Sequence, residues 1–290
     1  IGFTDKLKGV MNNSDERDYI NFSLRNDVLF GGFRLDKKSY ISFGFYQEVD
    51  FIFYLPKDII ELGLYGNTIN RTFAFSQLNF RGSINGVIHA GISKKVNEKF
   101  NVGARIKLYS SSANVESTNN SGTFRTFTNS QNSLSQTINN VNTEVRTSGL
   151  FNNNDDFLNA PRDLFTNTLF GGNLGVGFDA GFTYHFDSNL EFTASIIDFG
   201  FIRYSKQIKN FKAEGDYVFD GIDFQFDPLN PIDYWDQLED DFDQQVDIDE
   251  NENAYTSWRP TRLNASLRYS FGKVRSKVCY SATKKDYHSK

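Results

Sequence analysis

The sequence predicts an all-β protein, a transmembrane antiparallel outer-membrane β-barrel with long extracellular loops. Three observations carry this reading. Apolar and polar residues alternate over runs longer than about eight, which is hard to obtain by accident. The runs exceed the roughly five or six residues of a soluble sandwich strand and reach the roughly nine to eleven of a spanning one. Short polar turns at Asp36 to Lys38, Asn97 to Lys99, Asp187 to Asn189 and Gly272-Lys273 alternate with long segments, the pattern of a barrel with tight turns at one rim and loops at the other.

The early chain alternates roughly, through Ile20, Phe22 and Leu24, then Leu29, Phe33 and Leu35, then Ile41, Phe43 and Phe45. Within 55–75, Leu55 to Leu62 carries a proline where a first helical turn would want it and reads as a short amphipathic cap helix or a loop. From Phe80, the residues Gly82, Ile84, Gly86, Ile88, Ala90 and Ile92 oppose Arg81, Ser83, Asn85 and His89. After the Asn97 turn, Val102, Ala104, Ile106 and Leu108 oppose Asn101, Arg105 and Lys107. Ser110 to Asp156 is dominated by Ser, Thr and Asn and reads as a mobile surface loop, since it offers little apolar surface to offset its ordering.

Leu174, Val176, Phe178, Ala180, Phe182, Tyr184 and Phe186 oppose Asp179, Thr183 and His185. Beyond the turn Leu190, Phe192, Ala194 and Ile196 oppose Glu191, Thr193 and Ser195. A β-like stretch at Phe211 to Phe226 would break the parity of the turns as a single span, so it reads as part of an external excursion. Leu263, Ala265, Leu267, Tyr269 and Phe271 then oppose Arg262, Asn264, Ser266 and Arg268. The polar face carries charges at regular intervals, unsuitable for a dry sandwich core and natural in a wet lumen, so the apolar face is expected to meet lipid. Residues 1–290 therefore read as one β-barrel domain, expected to be incomplete at both ends, with external excursions at 55–75, 113–167 and 204–259.

Composition narrows the function classes. The chain is 39% hydrophobic and 16% aromatic, with a negative mean hydropathy, and no window approaches eighteen uninterrupted apolar residues. The formal net charge of -5, with no basic tail, argues against a nucleic-acid partner. A single cysteine, Cys279, and three histidines leave neither an intramolecular disulfide framework nor a zinc site at standard spacing. No Gly-x-Ser-x-Gly, phosphate loop or His-Glu-x-x-His is present, so no catalytic residue, metal ligand or cofactor is assigned and no enzyme is expected. Asp247, Asp249, Asn251 and Asn253 imitate the start of a calcium loop, but Glu252 stands where glycine belongs and Trp258 where a bidentate glutamate belongs.

Two stretches carry a resemblance. Gly177-x-Asp179-x-Gly181-x-x-Tyr184 followed by Ser195-Ile196-x-Asp198-x-Gly200-x-Ile202 resembles a family of Bacteroidota outer-membrane barrels of mostly unknown role. That family is similar in architecture to fatty-acid-transporter-like barrels and related to the cargo-receiving barrel of the type IX secretion system. The resemblance implies a barrel of about fourteen strands, about eight or nine of them in this segment. It carries over no catalytic residues, and nothing matches the fatty-acid transporter's ligand pocket.

The polar faces concentrate basic residues expected to face the lumen: Arg81, Arg105, Lys107, Arg262, Arg268, Arg275 and Lys277, against Asp179 and Glu191. Their repulsion must be met by pairing within the wall, by bulk anions, by carboxylates on further strands, or by an acidic plug. The plug or docking loop would be the segment holding Asp236, Glu239, Asp240, Asp241, Asp243, Asp247 and Asp249. Three functions fit. One is a bacterial outer-membrane subunit of a secretion or outer-membrane protein assembly complex, in contact with lipid and with other outer-membrane or surface proteins. A transport barrel and a soluble β-sandwich adhesin are the alternatives.

Overall fold

A computed structural model of the chain describes residues 18–130, 132–151, 167–169, 172–219, 234–271 and 274–283, with the backbone alone at 167, 234–239, 271 and 274–283. Its main sheet is an antiparallel ribbon. In spatial order it runs β1 (Tyr19–Arg34), β2 (Ser39–Tyr54), β4 (Asn79–Lys95), β5 (Phe100–Thr128), β7 (Asn173–His185), β8 (Leu190–Tyr204), β12 (Arg262–Phe271) and β13 (Val274–Thr283). β3 (Thr72–Ala74) follows a helix, α1 (Lys57–Tyr65), which fills the position left open between helix and loop in the sequence. Among the described residues β1 and β13 are the edges of an open sheet.

The tight turns lie together at one end. Lys95 N–H reaches Lys38 C=O, His185 N–H reaches Lys99 C=O, and Ser270 N–H reaches Asn189 C=O, so neighbouring hairpins are stitched at the same rim. Asp36 and Asp187 shape their turns by accepting backbone N–H bonds from Lys38 and Ser39 and from Asn189 and Leu190.

The sheet is curled into a gutter. β11 (Tyr255–Trp258) pairs with β8, and Arg259, which follows it, lies five strand-to-strand steps from β2. Flat, that path would span roughly 24 Å at about 4.8 Å per step. Yet the Arg259 guanidinium is 2.6 Å from Glu48 of β2. Bulges where β1, β5 and β8 shift register supply part of the bend.

The two faces are inverted relative to a water-soluble sheet. Ile88, Ile106, Leu108, Val176, Phe178, Phe199 and Leu267 are exposed on the convex side, whereas Glu48, Arg81, Asn85, Lys107, Asn114 and Asp198 are buried on the concave side. The alternation read from the sequence is thus in phase, with its apolar members outward.

Beyond the curled part β5 continues as a 29-residue strand. Its outer half pairs with β3 and with β6 (Leu134–Ser148), β6 pairs with β9 (Asn210–Phe219), and β9 pairs with β10 (Val246–Asn251). The expected mobile loop over Ser110 to Asp156 is corrected here: 110–128 and 134–148 are strand, and 152–156 lie outside the described residues. The composition argument missed this because ladder partners on both sides satisfy the backbone without a dry core. Asn119, Gly122 and Asn140 take left-handed φ values where the β5–β6 and β6–β9 registers shift, positions that asparagine and glycine tolerate best.

A short 3-10 turn, Asn167–Leu169, folds back onto the convex face. Thr168 is fully buried there and accepts a hydrogen bond from Gln47 at 2.9 Å. Only glycine fits beneath it, since a Cβ at Gly86 would stand 2.3 Å from the Thr168 carbonyl oxygen.

Candidate functional site: a charge-matched cavity on the concave face

Strand alternation delivers every second side chain to the concave face, charged ones among them, and the curl brings these together. They line a cavity of about 690 Å³ walled by β1, β2, β4, β5, β7, β8 and β12. Its centre is Asp198. The β8 bulge places this residue at φ 59°, turning its carboxylate inward and shifting the apolar phase from Ile196 to Phe199. Asp198 Oδ1 accepts from Lys107 and, at 3.1 Å, from the Tyr109 hydroxyl, while Oδ2 meets Arg262 at 2.5 Å. Its backbone N–H donates to Asp179 at 2.9 Å, and Asp179 also holds Lys107 at 2.8 Å. The two aspartates of the motifs that carry the family resemblance therefore converge on one lysine.

A second network crosses the gutter. Arg259 meets Glu48 at 2.6 Å and Asp50 at 3.2 Å, and lies 5.1 Å from the Tyr109 ring centroid. Arg81 faces Glu116 at 3.9 Å, and Glu116 accepts from the Ser257 hydroxyl at 2.5 Å. Above these, the Tyr255 hydroxyl donates to Asn114 at 2.7 Å, and the Tyr204 and Tyr255 rings stack at 5.0 Å. Tyr46, Val87, Tyr109, Ile202, Tyr204, Ile208 and Tyr255 form the buried cluster of this layer. The concave face is closed by its own side chains at this height. Toward the tight turns it is lined by small residues, Gly103, Gly181, Thr183, Thr193 and Ser195, around a second space of about 440 Å³.

Five of the residues expected to form a basic lumen, Arg81, Arg105, Lys107, Arg262 and Arg268, do lie on this face, and each has a carboxylate. Arg105 approaches Asp179 at 3.9 Å, and Arg268 meets Glu191 at 2.5 Å. Pairing within the wall, one of the compensations the sequence left open, accounts for them. The side chains of Arg275 and Lys277 lie outside the described residues. Sequence reading missed Glu48, Asp50, Glu116 and Arg259. The slip of phase across Ile196-Ile197-Asp198 was a legible signal for Asp198, because a bulge in a two-residue repeat leaves two apolar neighbours in succession.

The inward acidic plug is corrected. The acidic segment forms α2 (Tyr234–Gln245) and β10, packed on β9 at the far end, where Phe242 meets the Tyr217 ring at 5.1 Å and Gln245 bonds both backbone groups of Val218. Asp240, Asp241, Asp243, Asp247 and Asp249 are exposed there, and among the described residues none bonds to the basic set. The side chains of Asp236 and Glu239 lie outside the described residues. Asp247, Asp249 and Asn251 fall on the extended β10, a backbone that cannot wrap an ion as a calcium loop does. Among the described residues no three His, Cys, Asp or Glu side chains are grouped to hold a metal.

Outside the curled sheet, local bonds set the protonation of several carboxyls. The Lys38 backbone N–H holds Asp36 below the usual carboxylate range, and the Asn189 backbone N–H does the same for Asp187. In the far extension Arg146, bonded at 2.9 Å, lowers Glu144, and Arg146 is itself raised.

No curated protein and no solved structure gives a significant match to the chain. Over residues 2–289 the chain matches the model described as "Family of unknown function (DUF5723)", and it belongs to that family.

Proposed function

We propose that this chain is the wall of a bacterial outer-membrane β-barrel. It acts without enzymatic chemistry as a subunit of a secretion or outer-membrane protein assembly complex and offers its far extension as a docking surface. The observation that carries the reading is the inversion of the sheet, with exposed large apolar side chains on the convex face and matched charges buried on the concave one. In water that convex face would be a standing liability, whereas in a bilayer it is the ordinary lipid contact. The length of β5 adds support. At roughly 3.3 Å per residue, its 29 residues run far past the hydrocarbon thickness and carry β6, β9, β10 and α2 clear of it.

The cross-gutter layer favours a scaffold over a pore, since Arg259, Glu48, Tyr109 and Tyr255 fill the space an open channel would need. A transport barrel is the second reading, favoured by the 690 Å³ cavity beneath that layer. A soluble sandwich adhesin would leave the convex face in water and is the least consistent of the three.

The decisive experiment is to solubilise the natural, full-length protein from membranes in mild detergent and identify what purifies with it. A stoichiometric outer-membrane or surface protein that is lost on deleting 234–251 is expected. Purification alone, with steady conductance in planar bilayers, would replace the subunit by the transporter. Extraction into buffer without detergent would end the membrane reading.

A further inference from the structure

The concave face and the tight-turn rim treat their cations differently. On the concave face every described basic side chain considered above has a carboxylate. At the rim, Arg34, Lys37, Lys38 and Lys94 make no ion pair among the described residues. Lys95 is held by Glu98 at 2.6 Å, and Lys99 donates to the Phe186 carbonyl oxygen. Two carboxylates stand among them: Asp36, already engaged by two backbone N–H groups and only at longer range from Lys94, and Glu98, taken by Lys95. Arg34, Lys37, Lys38, Lys94 and Lys95 line a cleft of about 310 Å³ between the first two hairpin turns, with Tyr40 at its side.

This basic rim is continuous with the apolar belt. Leu35, Ile92, Val96 and Phe186, all exposed, stand within three residues of a rim lysine or beside one. The opposite end of the molecule presents Asp240, Asp241, Asp243, Asp247, Asp249 and Glu250, also exposed. Unpaired cations on flexible stems beside an apolar belt are the arrangement that meets phosphate at a membrane interface, the stem along acyl chains and the charge among headgroups.

We infer that the tight-turn rim is a docking surface for anionic phospholipid headgroups, and that their phosphates are the missing partners of Arg34, Lys37, Lys38 and Lys94. The inference rests on the outer-membrane reading. It adds which leaflet edge the protein grips and with what chemistry. It also gives the molecule a polarity independent of loop length, with its basic end at an anionic lipid surface and its acidic end away from it.

The test uses the purified protein reconstituted in phosphatidylcholine vesicles containing spin-labelled phosphatidylglycerol or spin-labelled phosphatidylcholine. The motionally restricted fraction of each label is read by electron paramagnetic resonance. The wild type should favour phosphatidylglycerol about fivefold, the factor one basic side chain near an anionic surface supplies. The Lys37→Gln, Lys38→Gln, Lys94→Gln triple variant should lose most of that preference, while Arg203→Gln with Lys206→Gln at the far end should keep it. Sodium chloride and inorganic phosphate at equal ionic strength should weaken it equally. Restricted lipid with no preference, or a preference unchanged in the triple variant, would overturn the rim as a headgroup surface and leave the membrane reading standing. Selective displacement by inorganic phosphate would instead make it a soluble-anion site. Restricted lipid of neither kind would overturn both readings.

Discussion

The curled sheet and the extension it carries share strand β5 and one kind of ladder, but they dispose of side chains in opposite ways. In the curled part, phase decides everything: one step of alternation separates exposed Ile106 from buried Lys107. In the extension the apolar contacts are few and local: Phe73 and Val246 are enclosed, and pairs such as Phe73 with Phe124, 6.3 Å apart, and Tyr217 with Phe242 supplement the backbone pairing. The difference teaches where cooperativity lies. The curled part is held by contacts reaching across many strands, so one broken group is felt throughout. The extension is held by neighbour pairing and should loosen locally.

The sharpest way to break that contrast is at Asp198. Its carboxylate serves Lys107, Tyr109 and Arg262, and Lys107 is almost wholly enclosed. Asp198→Asn leaves a buried cation undercompensated and should cost about 3 to 5 kcal/mol in equilibrium unfolding from detergent micelles. Adding Lys107→Met should recover part of that loss, because the buried cation that Asp179 alone would have to balance is removed. If the single variant cost no more than an exposed substitution, the network would not be what closes the concave face.

Next in size is the facing test. Phe178 on the convex side and Thr183 on the concave side lie five residues apart on β7. Phe178→Arg should cost about 2 to 4 kcal/mol in refolding into lipid. Thr183→Arg, entering the roomy space of small residues, should stay below about 1 kcal/mol. Equal costs would remove lipid from the convex face and restore the soluble sandwich.

How much of this was legible in the sequence follows from the same contrast. Strand phase in the curled part was readable at Phe80 to Ile92 and at Leu174 to Phe186, because a two-residue repeat is a property of consecutive residues. Arg81, Arg105, Lys107 and Arg262 of the cavity were readable for the same reason. The cross-gutter pair was not: Glu48 and Arg259 are 211 residues apart, and only the curl brings them together. The part of the extension over 110–148 was misread as a loop because it looks unstructured when judged by apolar content alone, while its partner 210–219 overlaps the stretch read as β-like. On charge alone the acidic segment could be an inward plug or a docking loop. Its seat was fixed by Phe242 and Gln245 against β9, contacts too few to show in composition.

A smaller effect is expected at that seat. Phe242→Ala should free α2 from Tyr217 while the curled sheet keeps its stability. Limited proteolysis should then cut near 234–245 several-fold faster, with a loss of about 1 kcal/mol or less in global unfolding. A global loss as large as that of Asp198→Asn would show the extension to be part of the same cooperative unit.

The smallest expected effects separate the two regions by how their carboxylates are held. Asp187 is lowered from its ordinary 3.8 chiefly by the Asn189 backbone N–H, and Glu144 from 4.5 chiefly by the Arg146 side chain. A carboxyl whose folded pKa lies below its unfolded one contributes stability that is complete above the unfolded value and is lost as pH falls through the folded value. Asp187→Asn and Glu144→Gln should therefore each lower the urea midpoint slightly at pH 7. Both differences from wild type should shrink as the pH is taken from 5 toward 3. Salt should tell them apart. The Glu144 contribution is an ion pair at a partly exposed site and should fade in about 0.5 M sodium chloride, where the screening length falls to about 4 Å. The Asp187 contribution comes from fixed backbone N–H groups one turn away, with short bonds of 2.7 and 2.9 Å, and should persist. Urea midpoints of the two variants at low and high salt check this, and a salt-sensitive Asp187 effect would mean that the nearby rim lysines, rather than the turn amides, hold that carboxylate.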